Sequence, residues 1–416
     1  MKQCYKQTDI GLIPEDWEIK QIGEFTDAVA GGTPNTTIPE YWGGDIPWMS
    51  SGELNKRRVH SVDGRITKTG LENSSTHMIP ENCVLVGLAG QGKTRGTVAI
   101  NYISLCTNQS IAAIFPNDQV ETEYLYQNLY SRYDELRELS SGDGGRGGLN
   151  LKLIKNLIVP IPPLPEQRRI AEALSDVDEL IASLEKLIEK KKALKQGVMQ
   201  ELLTGKRRLP GFSGEWESVN LEQIGVLSGS GVDKKVLPDE KPITLLNYTN
   251  VYHQTAISRK DLSHQVTASD KKIYECNVRK YDVFLTPTSE TPDEIAFSAV
   301  AVEDMPDVVY SYHIVRLRPY DSFNGAYINY AMNTEVFRNQ ATMLAEGSGI
   351  RYVITLKKFK DMVVMVPCDL NEQNAIVQVL FDFEKEIEKL SQKLIRARQI
   401  KSGMMSELLT GKIRLM

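Results

Sequence analysis

The sequence predicts an α+β protein in which two globular units are separated by two long helices, giving a pseudo-twofold repeat. The main observation is that the hexapeptide ELLTGK occurs twice, at 201–206 and at 407–412. The whole segment 166–209 recurs without a gap as 372–415. Self-similarity at a fixed spacing indicates that one structural unit is built twice.

A second, weaker repeat relates the segments that precede these copies. Trp17 pairs with Trp216, and VLV at 84–86 pairs with VFL at 283–285, both 199 residues apart. The chain is therefore predicted to run as globular unit, helix, globular unit, helix.

Heptad spacing predicts the two helices. Apolar residues recur at alternating steps of four and three, which is typical of the a/d seam of a coiled coil. The predicted seam consists of Ile170, Leu174, Val177, Ile181, Leu184 and Ile188 in the first helix, and of Ile376, Leu380, Phe383, Ile387, Leu390 and Leu394 in the second. Two helices of equal length and matching register are expected to form an intramolecular coiled coil, which is antiparallel if the globular units lie at its opposite ends.

Local signals set the predicted helix ends. Prolines up to Pro165 are expected to prevent helix before Glu166, and Thr204-Gly205 and Thr410-Gly411 are expected to end the two helices. The resulting predicted domains are 1–160, 161–210, 211–367 and 368–416.

Composition narrows the class of protein. A chain of 416 residues with 41% hydrophobic residues can form two or three packed domains. Its five cysteines are scattered without a CxxC pair, which favours free thiols in a reducing cytoplasm and no metal site. The sequence has no apolar signal core and no apolar stretch near the ~20 residues of a spanning helix, so no membrane role is expected. The net charge of -5 means that nucleic-acid binding would depend on local patches.

The helical segments resemble a known family. The stretches PPLPEQRRIAEALSDVDELI, GVMQELLTGKRRL and GMMSELLTGKIRL look like those of the specificity subunit of a Type I restriction-modification system. The resemblance covers essentially the whole chain, although the second copy has CDLNEQ where the first has PPLPEQ.

The resemblance implies a division of labour. Residues 1–160 and 211–367 would be target recognition domains, each reading one half of a bipartite site in double-stranded DNA. The helices would be conserved spacers that fix the distance between half-sites and dock two modification subunits. Those partners would bring S-adenosylmethionine for adenine methylation, and restriction subunits would bring ATP and Mg²⁺. The specificity subunit itself would have neither a catalytic site nor a cofactor, and would act in the cytoplasm.

The sequence lacks the motifs of two catalytic activities. It has no [DNS]PP[YF] motif of adenine methylation, and IAAIFPND at 111–118 is broken by Pro116, so no Walker B strand is evident. The alternatives to DNA recognition are a P-loop NTPase and a coiled-coil scaffold that does not bind DNA.

The NTPase alternative depends on GLAGQGKT at 87–94, which matches GxxxxGK[ST]. A P-loop must open a helix, because phosphate binds the backbone N–H groups at the helix N-terminus. Here Gly96 and the alternation of Val98, Ile100 and Tyr102 favour a strand instead. The repeat position holds Thr286-Pro287-Thr288-Ser289, which has the same strand-loop-strand outline without P-loop character.

These two loops are the predicted readout elements. The first loop carries Gln91, Lys93, Thr94 and Arg95, and the second carries Thr288, Ser289, Glu290 and Thr291. Arginine or lysine can pair with guanine or phosphate, glutamine with adenine, and glutamate with cytosine. The alternative is a pair of surface turns that bind nothing.

Further candidates lie near these loops. They are the basic triplet Lys56, Arg57 and Arg58, the pair Asn108 and Gln109, the second-unit residues Asn247, Tyr248 and Asn250, and Arg146 and Arg351 in matching glycine-rich loops. The arginines and the triplet are predicted to contact phosphate. Asn108 and Gln109 could read adenine or could complete the backbone hydrogen bonds of a strand end.

Overall fold

The computed structural model describes residues 4–90, 93–139 and 148–415. The chain divides into two compact units: unit 1 comprises Met1–Glu185 and Gln392–Met416, and unit 2 comprises Lys186–Ser391. Each unit therefore contains part of both long helices. The domain boundaries drawn from the sequence stay a prediction.

Unit 1 contains two main sheets. Its strands are β1 (Tyr5–Thr8), β2 (Gly11–Pro14), β3 (Glu18–Gln21), β4 (Ala28–Ala30), β5 (Trp42–Met49), β6 (Arg58–Val59), β7 (Gly64–Ile66), β8 (Met78–Ile79), β9 (Val84–Gly87), β10 (Val98–Asn101), β11 (Leu105–Thr107), β12 (Ile111–Ile114) and β13 (Ile158–Ile161). Its helices are α1 (Ile22–Phe25), α2 (Lys68–Glu72), α3 (Thr122–Ser131), α4 (Tyr133–Leu139), α5 (Leu151–Lys155) and the first part of α6 (Leu164–Leu202). Short 3-10 turns occupy Pro39–Tyr41 and Ser51–Lys56.

Unit 2 is built from a closely similar set. Its strands are β14 (Trp216–Asn220), β15 (Gly225–Ser228), β16 (Lys241–Leu246), β17 (Ala256–Ile257), β18 (Gln265–Ala268), β19 (Asn277–Val278), β20 (Val283–Leu285), β21 (Thr288–Ser289), β22 (Ser298–Ala301), β23 (Met305–Tyr310), β24 (Val315–Pro319), β25 (Glu346–Ser348), β26 (Arg351–Val353) and β27 (Val363–Pro367). Its helices are α7 (Leu221–Ile224), α8 (Tyr248–His253), α9 (Asp270–Glu275), α10 (Gly325–Met332), α11 (Glu335–Leu344), α12 (Leu356–Asp361) and the first part of α13 (Leu370–Leu408).

Sheet topology confirms the repeat. The five-stranded sheet has the order β4-β12-β9-β10-β6 in unit 1 and β15-β24-β20-β22-β17 in unit 2. The four-stranded sheet has the order β7-β5-β11-β8 in unit 1 and β18-β16-β23-β19 in unit 2. The central pairs of the four-stranded sheets, β5 with β11 and β16 with β23, are parallel in both units.

The apolar run VLV at 84–86 illustrates why the sheets are buried on both faces. Val84 and Val86 pack into one hydrophobic cluster with α3, whereas Leu85 points into a second cluster that includes Met49 of β5. Successive side chains of a strand point to opposite faces, so a continuous apolar run requires two cores.

The two long helices are 39 residues each. The first begins at Leu164, two residues before the predicted start, because proline is tolerated in the first turn, where its missing N–H has no helical partner. Within the described residues, neither of these helices nor any other has the length and apolar character needed to span a membrane.

The helices pair in antiparallel fashion, as predicted. In unit 1, Lys401 lies 2.6 Å from Asp178 and Arg398 lies 2.6 Å from Glu185, so numbers rise on one helix as they fall on the other. In unit 2, the equivalent arrangement joins Lys195 to Glu384 at 2.6 Å and Lys191 to Glu386 at 2.9 Å.

The predicted seam residues of the two long helices are all buried or half-buried. Ile170 and Leu174 join the core of unit 1, and Ile376 and Leu380 join that of unit 2. Leu184 and Ile188 are also buried, and the remaining predicted seam residues are half-buried.

An arginine after each long helix ties that end to the unit's core. In unit 1, the Arg414 guanidinium contacts Glu166 at 2.6 Å and Asp16 at 2.7 Å, and the Trp17 indole donates to Glu166 at 3.1 Å. In unit 2, Arg208 contacts Glu372 at 2.6 Å. Arg208 and Arg414, like Glu166 and Glu372, are related by the sequence repeat.

Candidate functional site

The P-loop-like segment is a hairpin connection. After Thr94 the chain turns into β10, and the hairpin closes with the Gly96 N–H donating to the Gly87 oxygen and the Gly87 N–H donating to the Thr97 oxygen, both at 2.9 Å. A Cβ at Gly87 would lie 2.3 Å from the Thr94 oxygen, so the close approach of the loop backbone to the end of β9 requires this glycine. The motif therefore lacks the helix N-terminus that a phosphate-binding loop needs.

The loop of unit 2 closes in the same way. The Ala296 N–H donates to the Thr286 oxygen at 2.9 Å, and the Thr286 N–H donates to the Phe297 oxygen at 3.0 Å. Gly96 and Ala296 both have positive φ, at 79° and 57°. This confirms the prediction that the two loops occupy equivalent positions.

The first loop presents a lysine from a fixed backbone. The Lys93 side chain is exposed, while its backbone oxygen accepts from Tyr133 Oη at 3.0 Å and Thr97 Oγ1 at 2.7 Å. Thr94 and Arg95 are half-buried beside it. Gln91 lies outside the described residues.

In unit 2 the structure brings two predicted elements together. Strand β26 pairs with both β21 and β25, so Ser289 lies opposite Tyr352 and Thr288 opposite Val353. Arg351, at the start of β26, is therefore next to the readout loop, and its side chain is exposed. Glu290 and Thr291 are also exposed. Arg146, the predicted counterpart in unit 1, falls outside the described residues.

The ends of the parallel strands lie beside each loop. In unit 1 the Asn108 N–H donates to the Met49 oxygen, and its Oδ1 accepts from the Ser110 N–H at 3.1 Å. This amide oxygen is used in a strand-end turn, which is the second of the two roles predicted for Asn108; the adenine-reading role stays a prediction. Gln109 is exposed and accepts from Thr33 Oγ1 at 2.6 Å.

The matching strand end in unit 2 was missed by the sequence analysis. The Ser311 N–H donates to the Leu246 oxygen, as Asn108 does to Met49, and Tyr312 and His313 follow it. Burial, assisted by the charges of Lys234 and Arg351, lowers the pKa of His313. Asn108 and Ser311 are 203 residues apart, whereas VLV and VFL are 199 apart. Adding 199 to a residue number of unit 1 therefore gives the wrong residue in this part of unit 2.

The basic triplet separates into different roles. Arg58 contacts Glu123 at 2.6 Å and Asp178 at 3.4 Å. Burial opposes its ionisation, but the hydrogen bonds and charge of Glu123 outweigh this and raise the pKa of Arg58. Arg58 is thus paired with acidic groups inside unit 1, and its phosphate contact stays a prediction.

The other two members of the triplet remain accessible. The Lys56 ammonium pairs with Glu53 at 2.8 Å, and this hydrogen bond raises the pKa of Lys56. Arg57 is exposed, lies over the Tyr130 ring at 4.7 Å and makes no ion pair with any described residue. Arg57 is therefore the member best placed for a phosphate.

Two predicted polar residues of unit 2 are helix-cap residues. Asn250 Oδ1 accepts from the backbone N–H of Asn247 at 2.9 Å, which caps the start of α8, and Asn247 is buried. This hydrogen bond gives the pair a structural role at the start of the helix, and their DNA contacts stay a prediction. Tyr248 is half-buried, and its hydroxyl donates to the Thr288 oxygen at 2.7 Å, which anchors the readout loop.

A second surface runs along the helix pair. Unit 1 has a cleft of about 1730 Å³ whose lining includes Lys401, Met405 and Asp178, and unit 2 has one of about 460 Å³ whose lining includes Lys195, Met199 and Glu384. These three pairs of residues are each 206 apart, so the clefts are repeat-equivalent. Burial lowers the pKa of Lys401, although Asp178 opposes this.

Comparison with known proteins matches this doubled architecture. The domain family described as the Type I restriction modification DNA specificity domain matches residues 14–196 and again 213–397. This chain belongs to that family. Its role is DNA target recognition and not catalysis, and the NTPase and scaffold alternatives find no support among its relatives.

Some relatives match less than half of the chain, and others match nearly all of it. The MjaVIII specificity subunit of Methanocaldococcus jannaschii is 24% identical, and the alignment covers 99% of this chain and 97% of the relative. The MjaIX specificity subunit of the same organism is 37% identical, but only 44% of this chain and 42% of the relative are covered. The Type I S subunit structure from M. genitalium has the same fold, with a TM-score of 0.60, 16% identity and coverage of 98% and 99% of the two chains.

Proposed function

We propose that this specificity subunit recognises a bipartite site in double-stranded DNA, with each unit reading one half-site. The single observation that carries the proposal is the repeated hairpin, because both loops leave equivalent strands yet differ in side chains. Equivalent scaffolds with different loop chemistry are suited to two half-sites of different sequence.

The proposed contacts to the first half-site come from the loop between β9 and β10 and its neighbours. Lys93 supplies a cation from a fixed backbone, Arg57 supplies a second, and Gln109 supplies an exposed amide. Thr94, Arg95 and Gln91 complete the proposed set. Lysine and arginine suit guanine or phosphate, whereas a glutamine amide suits adenine.

The proposed contacts to the second half-site have a different character. Thr288, Ser289, Glu290 and Thr291 carry hydroxyl and carboxylate groups, and Arg351 adds one cation from β26. A carboxylate accepts from the amino group of cytosine and repels phosphate, so Glu290 is suited to a base edge.

We further propose that the helix pair fixes the spacing between the two half-sites and binds two modification subunits. The repeat-equivalent clefts support this, because two equivalent surfaces suit two copies of one partner. S-adenosylmethionine would belong to those modification subunits, and ATP and Mg²⁺ to restriction subunits that join them.

Methylome sequencing tests the proposal directly. The chain would be expressed with its modification subunits in a strain free of other adenine methylation, and the methylated motif determined. We expect two specified segments separated by a fixed unspecified spacer.

A Lys93→Ala variant then tests the assignment of the first loop. Because its exposed side chain supports no packing, we expect relaxed or weakened methylation at one segment and an unchanged second segment, which is the internal control. An unspaced motif in the wild type, or loss of complex assembly in the variant, would contradict the proposal.

A further inference from the structure

The hairpin of β25 and β26 places an apolar side chain at its tip. Ile350 is 88% exposed, the largest exposed fraction of any large hydrophobic side chain among the described residues. It occupies a two-residue turn with Gly349, between the paired residues Ser348 and Arg351. Isoleucine is β-branched and has no hydrogen-bonding group, so it is an unusual choice for a tight exposed turn.

The hairpin is held firmly at its base. Gly347 has a φ of 153°, and a Cβ there would lie 2.2 Å from the Arg351 oxygen, so the close pairing requires glycine. Strand β26 also pairs with β21, which makes the base a three-stranded sheet. The tip is thus projected from an anchored support that is continuous with the readout loop.

The unpaired charge of the hairpin itself is positive. The hairpin's one acid, Glu346, is 2.7 Å from Lys358 and is neutralised by it. Arg351 forms no ion pair with another described residue, and it lies close enough to His313, with Lys234, to lower the pKa of that imidazole. A polyanion would therefore be attracted to the side of the hairpin that carries the apolar tip.

We propose that Ile350 is an apolar wedge that unit 2 inserts between base pairs of the second half-site, with Arg351 contacting an adjacent phosphate. This inference rests on the proposed function of unit 2 as a DNA reader. An apolar wedge partially unstacks a base step and kinks the duplex, and the energy of doing so depends on the step. Part of the specificity of unit 2 then comes from deformability, with preference for a flexible pyrimidine–purine step at the wedge.

The sequence limits the proposed wedge to unit 2. Gly145 precedes Arg146 in the glycine-rich stretch of the first unit, where Ile350 precedes Arg351 in the second. A glycine cannot act as a wedge, so only the second half-site is expected to be unstacked in this way.

The test uses the full chain assembled with its modification subunits and a duplex carrying the methylated motif. The fluorescent base 2-aminopurine replaces one adenine at a time, because its emission rises when it is unstacked. The wild-type complex is expected to give a rise at one step of the second half-site. Ile350→Ala is expected to abolish the rise and to weaken specific binding by roughly tenfold, about 1.4 kcal/mol, whereas Ile350→Leu retains both.

Two further variants separate the wedge from other effects. Val336→Ala removes a comparably exposed β-branched side chain from α11, 61% exposed, and should leave fluorescence and affinity unchanged. Arg351→Gln should keep the fluorescence rise and reduce the salt dependence of binding by about one phosphate contact.

The outcomes distinguish this inference from the proposed function. If the wild-type complex binds no specific duplex, the proposed function itself fails. If it binds specifically but Ile350→Ala keeps the fluorescence rise and the affinity, the wedge is wrong. If Ile350→Ala instead prevents assembly, Ile350 contacts a protein partner and the wedge is also overturned.

Discussion

Replacing Arg414 by alanine should destabilise unit 1 far more than its terminal position suggests. Arg414 joins the segment after α13 to Glu166 at the start of α6, and Glu166 is only 3% exposed. It also holds Asp16, and this hydrogen bond lowers the pKa of Asp16. In the variant, Glu166 would retain the Trp17 indole as its one remaining donor from this network.

The expected size follows from the unpaired carboxylate. Removing one partner of a buried ion pair costs about 3–5 kcal/mol. We therefore expect the variant to lose about 3–5 kcal/mol in the free energy of unfolding at pH 7.

Asp16 makes part of this stabilisation sensitive to acid. Its folded pKa lies below its unfolded value, so its contribution to stability is present above the unfolded pKa and is lost as pH falls through the folded one. The Arg414→Ala variant should lack this acid-sensitive contribution.

Hydrogen exchange followed by mass spectrometry is the suitable assay, because it reports the opening free energy of each unit separately in the intact chain. Peptides of unit 1 should lose protection while those of unit 2 keep it. Lys412→Ala is the matched control, because Lys412 is exposed and its ammonium group lies 3.8 Å from Glu407, which is long for an ion pair. Its loss should lower the free energy of unfolding by less than about 0.5 kcal/mol. A loss below about 1 kcal/mol at pH 7 would refute the reasoning.

Two other predictions each compare a pair of residues: the neighbours Arg57 and Arg58, and the repeat-equivalent Met199 and Met405. Arg57→Ala should weaken DNA binding and reduce its salt dependence without changing the free energy of unfolding, whereas Arg58→Ala should lower that free energy by about 1–3 kcal/mol because Glu123 loses its partner. Binding titrations and thermal unfolding measure the two effects separately. Equal behaviour of the two variants would contradict the different roles given to Arg57 and Arg58. Met199→Glu and Met405→Glu change the two equivalent clefts, and each should prevent one modification subunit from binding. The double variant should bind neither subunit. The mass of the purified complexes tests this, and full assembly of the double variant would contradict it.

The helices and the repeat could be predicted from sequence, because heptad spacing is a local pattern and the repeat is a direct similarity between two segments. The a/d spacing from Ile170 to Ile188 specifies a helix with one apolar face whatever surrounds it. The copy 206 residues later supplies the partner of equal length. The strand after Thr94 was likewise predictable, because Gly96 and alternating β-branched residues disfavour helix in any context.

The candidate site was only partly predictable. Arg57 and Arg58 are chemically identical neighbours, and only the position of Glu123, 65 residues beyond Arg58, makes one a structural residue. For Asn108 the sequence allowed both a reading role and a strand-end role, and only the structure shows that its amide oxygen accepts from the Ser110 N–H. Tyr312 and His313 were missed because the insertion between the repeats is visible only in the strand pairing.

The sequence by itself determined the class of the protein: two copies of one unit, two equal helices, and a glycine-rich loop that cannot be a nucleotide site because a strand follows it. These features depend on periodicity and on conformational preferences that act within a few residues. The tertiary structure alone decided which charges are already neutralised, which loop meets which hairpin, and where Ile350 projects. Those properties depend on residues brought together from distant parts of the chain, and the interaction of charged or apolar groups depends on their separation and burial in space.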